Sequence, residues 1–209
     1  MAAMLIAVRQ CWAYPSQMGG DKMINKGNFA RALEVLGFGR KGDRWQKDFA
    51  TGCSLAADFD RGQLIYPEAD GKDKKGLKVN GRTTCNFAHN ENFVVFECVC
   101  RLLAKGYRAE YIELEKRWQL GHEMKGGKAD IVVTGEDGVT LLIIECKRSG
   151  REYKKAQETL KKDGGQLFSY WKEESWARWL CLYASDFDET QTEISASFGC
   201  SPMADTQNS

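Results

Sequence analysis

The chain has 209 residues, 43% hydrophobic and 28% charged, as expected of a soluble globular protein with one ordinary domain and a modest appendage. A net charge of +1 excludes recruitment of acidic partners by overall charge alone. No apolar run approaches the roughly eighteen residues needed to cross a bilayer, so no membrane partner is expected.

Met4–Val8 is too short for a signal-peptide core and lacks a basic lead. Residues 1–22 read as an N-terminal extension broken by Pro15, Gly19 and Gly20, with Met23 as an alternative start. Phe29, Leu33 and Leu36 recur at helical spacing, and Gly37 is placed to end that helix. Residues 23–88 form an accessory α+β region with turns at Asp60-Arg61-Gly62 and Asn80-Gly81, the latter a hairpin signal. Asn90 is positioned to cap a helix running to Lys105 and stopped by Gly106. Its stretch from Phe93 to Leu103 is apolar on nearly every side, which predicts deep burial.

Tyr111 to Trp118 alternates and reads as a strand with Glu113, Glu115 and Arg117 on a wet face. Ala129–Thr134 and Val139–Lys147 follow as a hairpin across Gly135-Glu136-Asp137-Gly138, both apolar enough to be central strands covered on two faces. A polar helix from Arg151 to about Lys162 ends at Gly164-Gly165. A second helix carries Gln166, Phe168, Tyr170 and Trp171, and Arg178–Tyr183 is the last strand. The core spans residues 89–185, and residues 186–209 read as a polar tail or truncated linker. Helix, three strands, helix, strand packs naturally as a mixed central sheet flanked by helices. Eight cysteines and two histidines, with no CxxC pair, exclude zinc-ribbon spacing. Cys98, Cys100, Cys146 and Cys181 lie in apolar runs and read as reduced, buried thiols, so a cytoplasmic location is expected.

The chemistry concentrates at Asp130, Glu145 and Lys147. Paired strands bring the start of one and the end of the next to a common edge. Alternation puts Glu145 and Lys147 on one face and Cys146 on the other. Two carboxylates and the backbone carbonyl of Cys146 make a partial shell of hard oxygens of the kind that magnesium takes. An ammonium beside them would orient a water or stabilise charge on a phosphoryl oxygen. The bland alternative is an Asp130–Lys147 salt bridge that merely satisfies a buried acid.

Asp130, Glu145-Cys146-Lys147 and Gln166-Leu167-Phe168-Ser169-Tyr170, in this element order, resemble the PD-(D/E)XK nuclease superfamily. More narrowly, they resemble the N-terminal nuclease domain of type I restriction enzyme R subunits and related restriction-modification proteins. Ala129 stands where the family name has proline. The resemblance implies an α/β, restriction-endonuclease-like αβββαβ core and a metal-dependent endonuclease acting on DNA in restriction-modification or related defence. It implies Mg²⁺ as cofactor, with Mn²⁺ as a substitute, held by Asp130, Glu145 and the Cys146 carbonyl. It also implies an assisting Lys147, a supporting acid on the first core helix, and Gln166 and Tyr170 positioning substrate. Glu91 is preferred for the helix acid over Glu97, which has Arg101 one turn away as an ion-pair partner.

Two basic runs flank the cluster: Lys147, Arg148, Arg151, Lys154, Lys155, Lys161 and Lys162 after it, and Lys72, Lys74, Lys75, Lys78 and Arg82 before it. They suit a phosphate backbone or simply a solvated face. No Gly-x-x-x-x-Gly-Lys-Ser/Thr loop and no Asn-Pro-Pro-aromatic motif occurs, so motor or methyltransferase functions would come from partner subunits, and sequence specificity would come from residues 23–88, from a missing part or from another subunit. The rival readings are a catalytically inactive DNA-binding or subunit-interaction domain of the same fold, and a repair or RNA nuclease on the same scaffold.

Overall fold

In the computed structural model, which describes residues 22–69, 75–118, 127–163 and 177–202, the first element is helix α1 (Phe29–Val35). Gly37 ends it at φ +80°, and the amides of Gly37 and Phe38 fold back onto the carbonyls of Glu34 and Leu33. Strands β1 (Gly39–Lys41), β2 (Arg44–Asp48), β3 (Ser54–Asp58) and β4 (Gln63–Ile65) then form an antiparallel four-stranded sheet in chain order. Asp60-Arg61-Gly62 turns β3 into β4 as expected, with Gly62 at φ +60°. Asn80-Gly81 does not make a hairpin. Strand β5 (Lys78–Val79) ends just before it and pairs in parallel with a later strand.

Helix α2 (Asn90–Ala104) starts at His89 as N-cap, one residue earlier than the sequence suggests, and closes at Gly106 with φ +90°. Strands β6 (Ile112–Arg117), β7 (Lys128–Thr134) and β8 (Thr140–Cys146), helix α3 (Arg151–Asp163) and strands β9 (Trp179–Asp188) and β10 (Glu193–Pro202) follow. They build a six-stranded mixed sheet in the order β10-β9-β8-β7-β6-β5, parallel at β8–β9 and β5–β6 and antiparallel elsewhere.

The expected polar tail after residue 186 is corrected here. Strand β9 runs on to Asp188, and β10 pairs with it along ten register positions. Within β10, Ile194, Ala196, Phe198 and Cys200 pack against the core, so a period of two hides in a serine-rich stretch. The expectation of reduced thiols is also corrected at one pair. Cys181 and Cys200 lie directly opposite each other in the β9–β10 ladder and are joined as a disulfide.

The two faces of the large sheet are covered separately. Ile131, Val133, Leu142 and Ile144 pack with α2, whereas Val132, Ile143, Leu180 and Leu182 pack with Tyr153, Ala156 and Leu160 of α3. Helix α2 is apolar all round because its other side meets the accessory region. Phe29 stacks on Phe93 at 4.5 Å between ring centroids, and Phe38 and Tyr66 pack on Phe96 at 5.7 and 5.6 Å. One apolar core therefore runs across the expected boundary at residue 88. Among the described residues, no helix is long and apolar enough to cross a membrane.

Candidate active site

Strand alternation and the β7–β8 pairing carry Asp130 and Glu145 toward the same edge of the sheet. Ile131 pairs with Ile144, which sets Asp130 beside the next residues of β8. The amide of Cys146 donates to Asp130 Oδ2 at 2.8 Å. Lys147 follows the last residue of β8, and its own amide still donates to the Tyr183 carbonyl at 2.8 Å, so its backbone is held in the sheet. Its ammonium contacts Glu145 Oε1 at 2.7 Å and Glu91 Oε1 at 3.6 Å. Asp130, Glu145, Lys147 and Glu91 thus gather where the N-terminal turn of α2 meets the ends of β7 and β8.

Both central acids are almost fully buried, Asp130 at 7% exposed and Glu145 at 5%. Burial, and then the charge of Glu145, pushes the Asp130 carboxyl up to about 8. Burial raises Glu145 too, against the pull of Lys147. For Lys147, burial works against the charged form, but Glu145, Glu91 and Asp130 outweigh it and raise the ammonium above its usual range. The site holds more negative charge than one ammonium neutralises. Glu145 Oε2 is buried with no hydrogen-bond partner among the described residues. An uncommitted carboxylate oxygen next to a second acid fits a hard divalent cation. Among the described residues no three His, Cys, Asp or Glu side chains form a metal cluster, so the shell would rest on two carboxylates and a backbone carbonyl.

Asp130 and Glu91 border a cleft of about 550 Å³, with Glu145 and Lys147 behind its lining. One wall is the start of α2, with His89, Asn90 and Glu91. Arg148 and Glu152, ion-paired to each other, contribute from the start of α3. Thr83, Thr84 and Lys128 close the side toward β6. Beneath that last wall lies Glu115, wholly buried at φ +54°. The sequence places it on the wet face of its strand. The left-handed backbone breaks the alternation there and turns its side chain inward. The register pairs Leu114 with Ile131 and Lys116 with Ala129, leaving Glu115 abreast of Asp130 without a ladder pair. Its carboxylate accepts from Thr83 Oγ1 at 2.6 Å, the Thr84 amide at 2.8 Å and Thr84 Oγ1 at 2.9 Å, and meets Lys128 Nζ at 3.4 Å.

Glu97, the other helix acid weighed, is turned into the core, ion-paired to Arg101 at 2.7 Å and accepting the Tyr183 hydroxyl. Gln166 and Tyr170 lie outside the described residues, as do Lys72 and Lys74. Thr83, Thr84 and Glu115 carry no motif and were missed. Lys128 lies two residues before Asp130 on β7, and that spacing alone puts it on the same strand face. No protein-family model matches the chain, and no curated protein sequence matches it either.

Proposed function

We propose that this protein is a metal-dependent endonuclease that hydrolyses DNA phosphodiester bonds, on a restriction-endonuclease-like αβββαβ core and in a restriction-modification or related defence role. The observation that carries the reading is the pair Asp130–Glu145, buried, mutually repelling and left with one unpartnered oxygen beside an ammonium. The order α2-β6-β7-β8-α3-β9 supports the fold assignment, and the likeness of Asp130 and Glu145-Cys146-Lys147 to the PD-(D/E)XK pattern supports the chemistry.

Asp130, Glu145 and the carbonyl of Cys146 would hold Mg²⁺, or Mn²⁺ in its place. The bound ion would supply Lewis acidity and lower the pKa of a coordinated water. The rest falls to the protein. The Cys146 amide fixes one oxygen of the Asp130 carboxylate, and Asp130 lines the cleft. Glu145, Glu91 and Asp130 favour the charged form of Lys147, which suits it to orient the attacking water and stabilise charge on the pentavalent phosphorus. Glu91 contacts the same ammonium and holds it between two acids. Lys128 and Arg148, ion-paired to Glu115 and Glu152, line the cleft as candidate contacts for a phosphate backbone.

The test is incubation of the full chain with supercoiled plasmid, with and without Mg²⁺ or Mn²⁺. Metal-dependent nicking that falls at least about a hundredfold in Lys147→Ala is expected. DNA binding without cleavage under every metal condition would make this a binding domain. Cleavage confined to RNA or single strands would move the substrate class.

A further inference from the structure

We infer that Lys128, with Thr83 and Thr84, forms a phosphate-contacting wall of the cleft beside the acid pair, and that Glu115 is the positioning residue that presents it. The inference rests on the nucleic-acid reading of the cleft. Four features of one buried network carry it.

Glu115 is a carboxylate with no exposure, yet it is ionisable and bound by three hydrogen bonds and one ammonium. Burying such a group is costly, and a core would be better served by an apolar residue. Its backbone sits in a strained left-handed conformation that interrupts the ladder abreast of Asp130. The chain is shaped to receive it, because a Cβ on Gly81 would stand 2.5 Å from Glu115 Oε2. Every group it holds then faces the cleft: Thr83, Thr84 and Lys128 line it with Asp130.

The geometry separates two roles. Lys128 is partly exposed, 28% for its side chain, and shares a strand face with Asp130 two residues on. Its charge would meet a backbone phosphate next to the one being cut. Glu115 reaches no substrate. It fixes the ammonium and the two threonines relative to the acids, so that a phosphate held by the wall lies in register with Lys147 and the metal-binding pair. Loss of Lys128 should therefore weaken binding, whereas loss of the Glu115 charge should leave the attraction intact and spoil alignment.

The experiment uses the full chain and a duplex DNA oligonucleotide. Affinity is followed by anisotropy in Ca²⁺ across a salt series, and turnover is followed in Mg²⁺. Lys128→Met is expected to lower the slope of log affinity against log salt by about one and to raise KM, and Lys128→Arg to restore both. Glu115→Gln keeps the shape and an acceptor for Thr84. It is expected to hold its Ca²⁺ affinity while kcat falls about tenfold or more. Wild-type cleavage with an unchanged slope in Lys128→Met, or an unchanged kcat in a folded Glu115→Gln, overturns this inference and leaves the nuclease standing. Wild-type binding without cutting removes the nuclease, and the Lys128 slope then decides alone. No binding and no cutting overturns both. Should Glu115→Gln fail to fold, the Lys128 pair decides the matter.

Discussion

Asp130 Oδ2 accepts the amide of Cys146 at 2.8 Å, so the acid of β7 is pinned by the backbone that carries Glu145 and Lys147 on either side. One bond thus ties together three groups that the proposed chemistry uses as a unit. It also makes Asp130 replaceable in structure though not in charge. Asparagine offers the same acceptor to the Cys146 amide and removes the repulsion with Glu145. The Asp130→Asn protein is expected to be at least as stable as the parent, by about 1 kcal/mol or more, while losing metal-dependent cleavage. Because burial and Glu145 raise the Asp130 carboxyl to about 8, its contribution to stability is full below the ordinary carboxylate pKa and is lost as pH rises through about 8. The advantage of Asp130→Asn should therefore grow with pH over that interval, as denaturant titrations at several pH values would show. A variant less stable than the parent at every pH would mean that the ionised acid stabilises the fold.

The same proton competes with a cation. On the proposed reading, a divalent ion would enter only as the Asp130–Glu145 pair gives up its proton, so binding would release protons and tighten toward alkaline pH. Calorimetric titration with Mn²⁺ is expected to show affinity rising as pH approaches about 8 and levelling beyond it. Heats measured in buffers of different ionisation enthalpy should report the proton released. Glu145→Gln should abolish this behaviour, since it removes both the partner charge and the unpartnered oxygen. Affinity independent of pH would place the cation elsewhere.

The β9–β10 hairpin offers a prediction independent of any activity. Cys181 and Cys200 are joined across directly opposed strand positions with a separation of 19 residues. Closing a loop of that size restricts the unfolded chain by about 3 kcal/mol in the chain-entropy account. Reductant, or Cys200→Ser, is expected to lower the melting temperature by about 5–10 °C for a chain of this length. Peptide mapping of the non-reduced protein should recover the two cysteines as one linked fragment. Equal melting curves with and without reductant would show that the strands are held by packing alone.

What could be read from the residues and what could not have separate physical origins. Strands β7 and β8 announce themselves because continuous β-branched and leucine runs flank a glycine-bounded turn. Helix α2 does so because apolar residues dominate the stretch from Phe93 to Leu103 and the helix stops at Gly106, whose φ of +90° only glycine adopts easily. Their meeting places Asp130, Glu145 and Lys147 together by register alone. Glu115 was not legible, because its inward turn depends on a local left-handed backbone that alternation does not encode. Gly81 misled for a related reason. Its lack of a side chain serves the close approach of the Glu115 carboxylate, not a turn. Strand β10 had a signal, Ile194, Ala196, Phe198 and Cys200 at a period of two, but the serines between them lowered the mean hydropathy below notice. The Cys181–Cys200 pair followed β10 into obscurity, because opposed cysteines are visible only once the strands are paired.

The expected division at residue 88 has a sharper test. Phe29 of α1 is fully buried against Phe93 and Phe96 of α2, with centroids at 4.5 and 5.8 Å, and against Phe59 and Phe87 at 6.0 and 5.7 Å. Helix α2 owes its all-round apolar surface to this second contact, so a fragment from residue 89 onward would expose aromatic rings that nothing else covers. Residues 89–202 expressed alone are expected to bind a hydrophobic dye and to melt without a cooperative transition. In the full chain, Phe29→Ala should cost about 3–5 kcal/mol, the range for removing a large aromatic from a packed core. It should also slow cleavage, because α2 presents Glu91 to Lys147 and its seat depends on that ring. A cooperative melt of the fragment, with activity intact, would show that the accessory sheet decorates an independent catalytic core. Loss of both would show that the accessory region before residue 89 is the other half of the scaffold holding Glu91 in place.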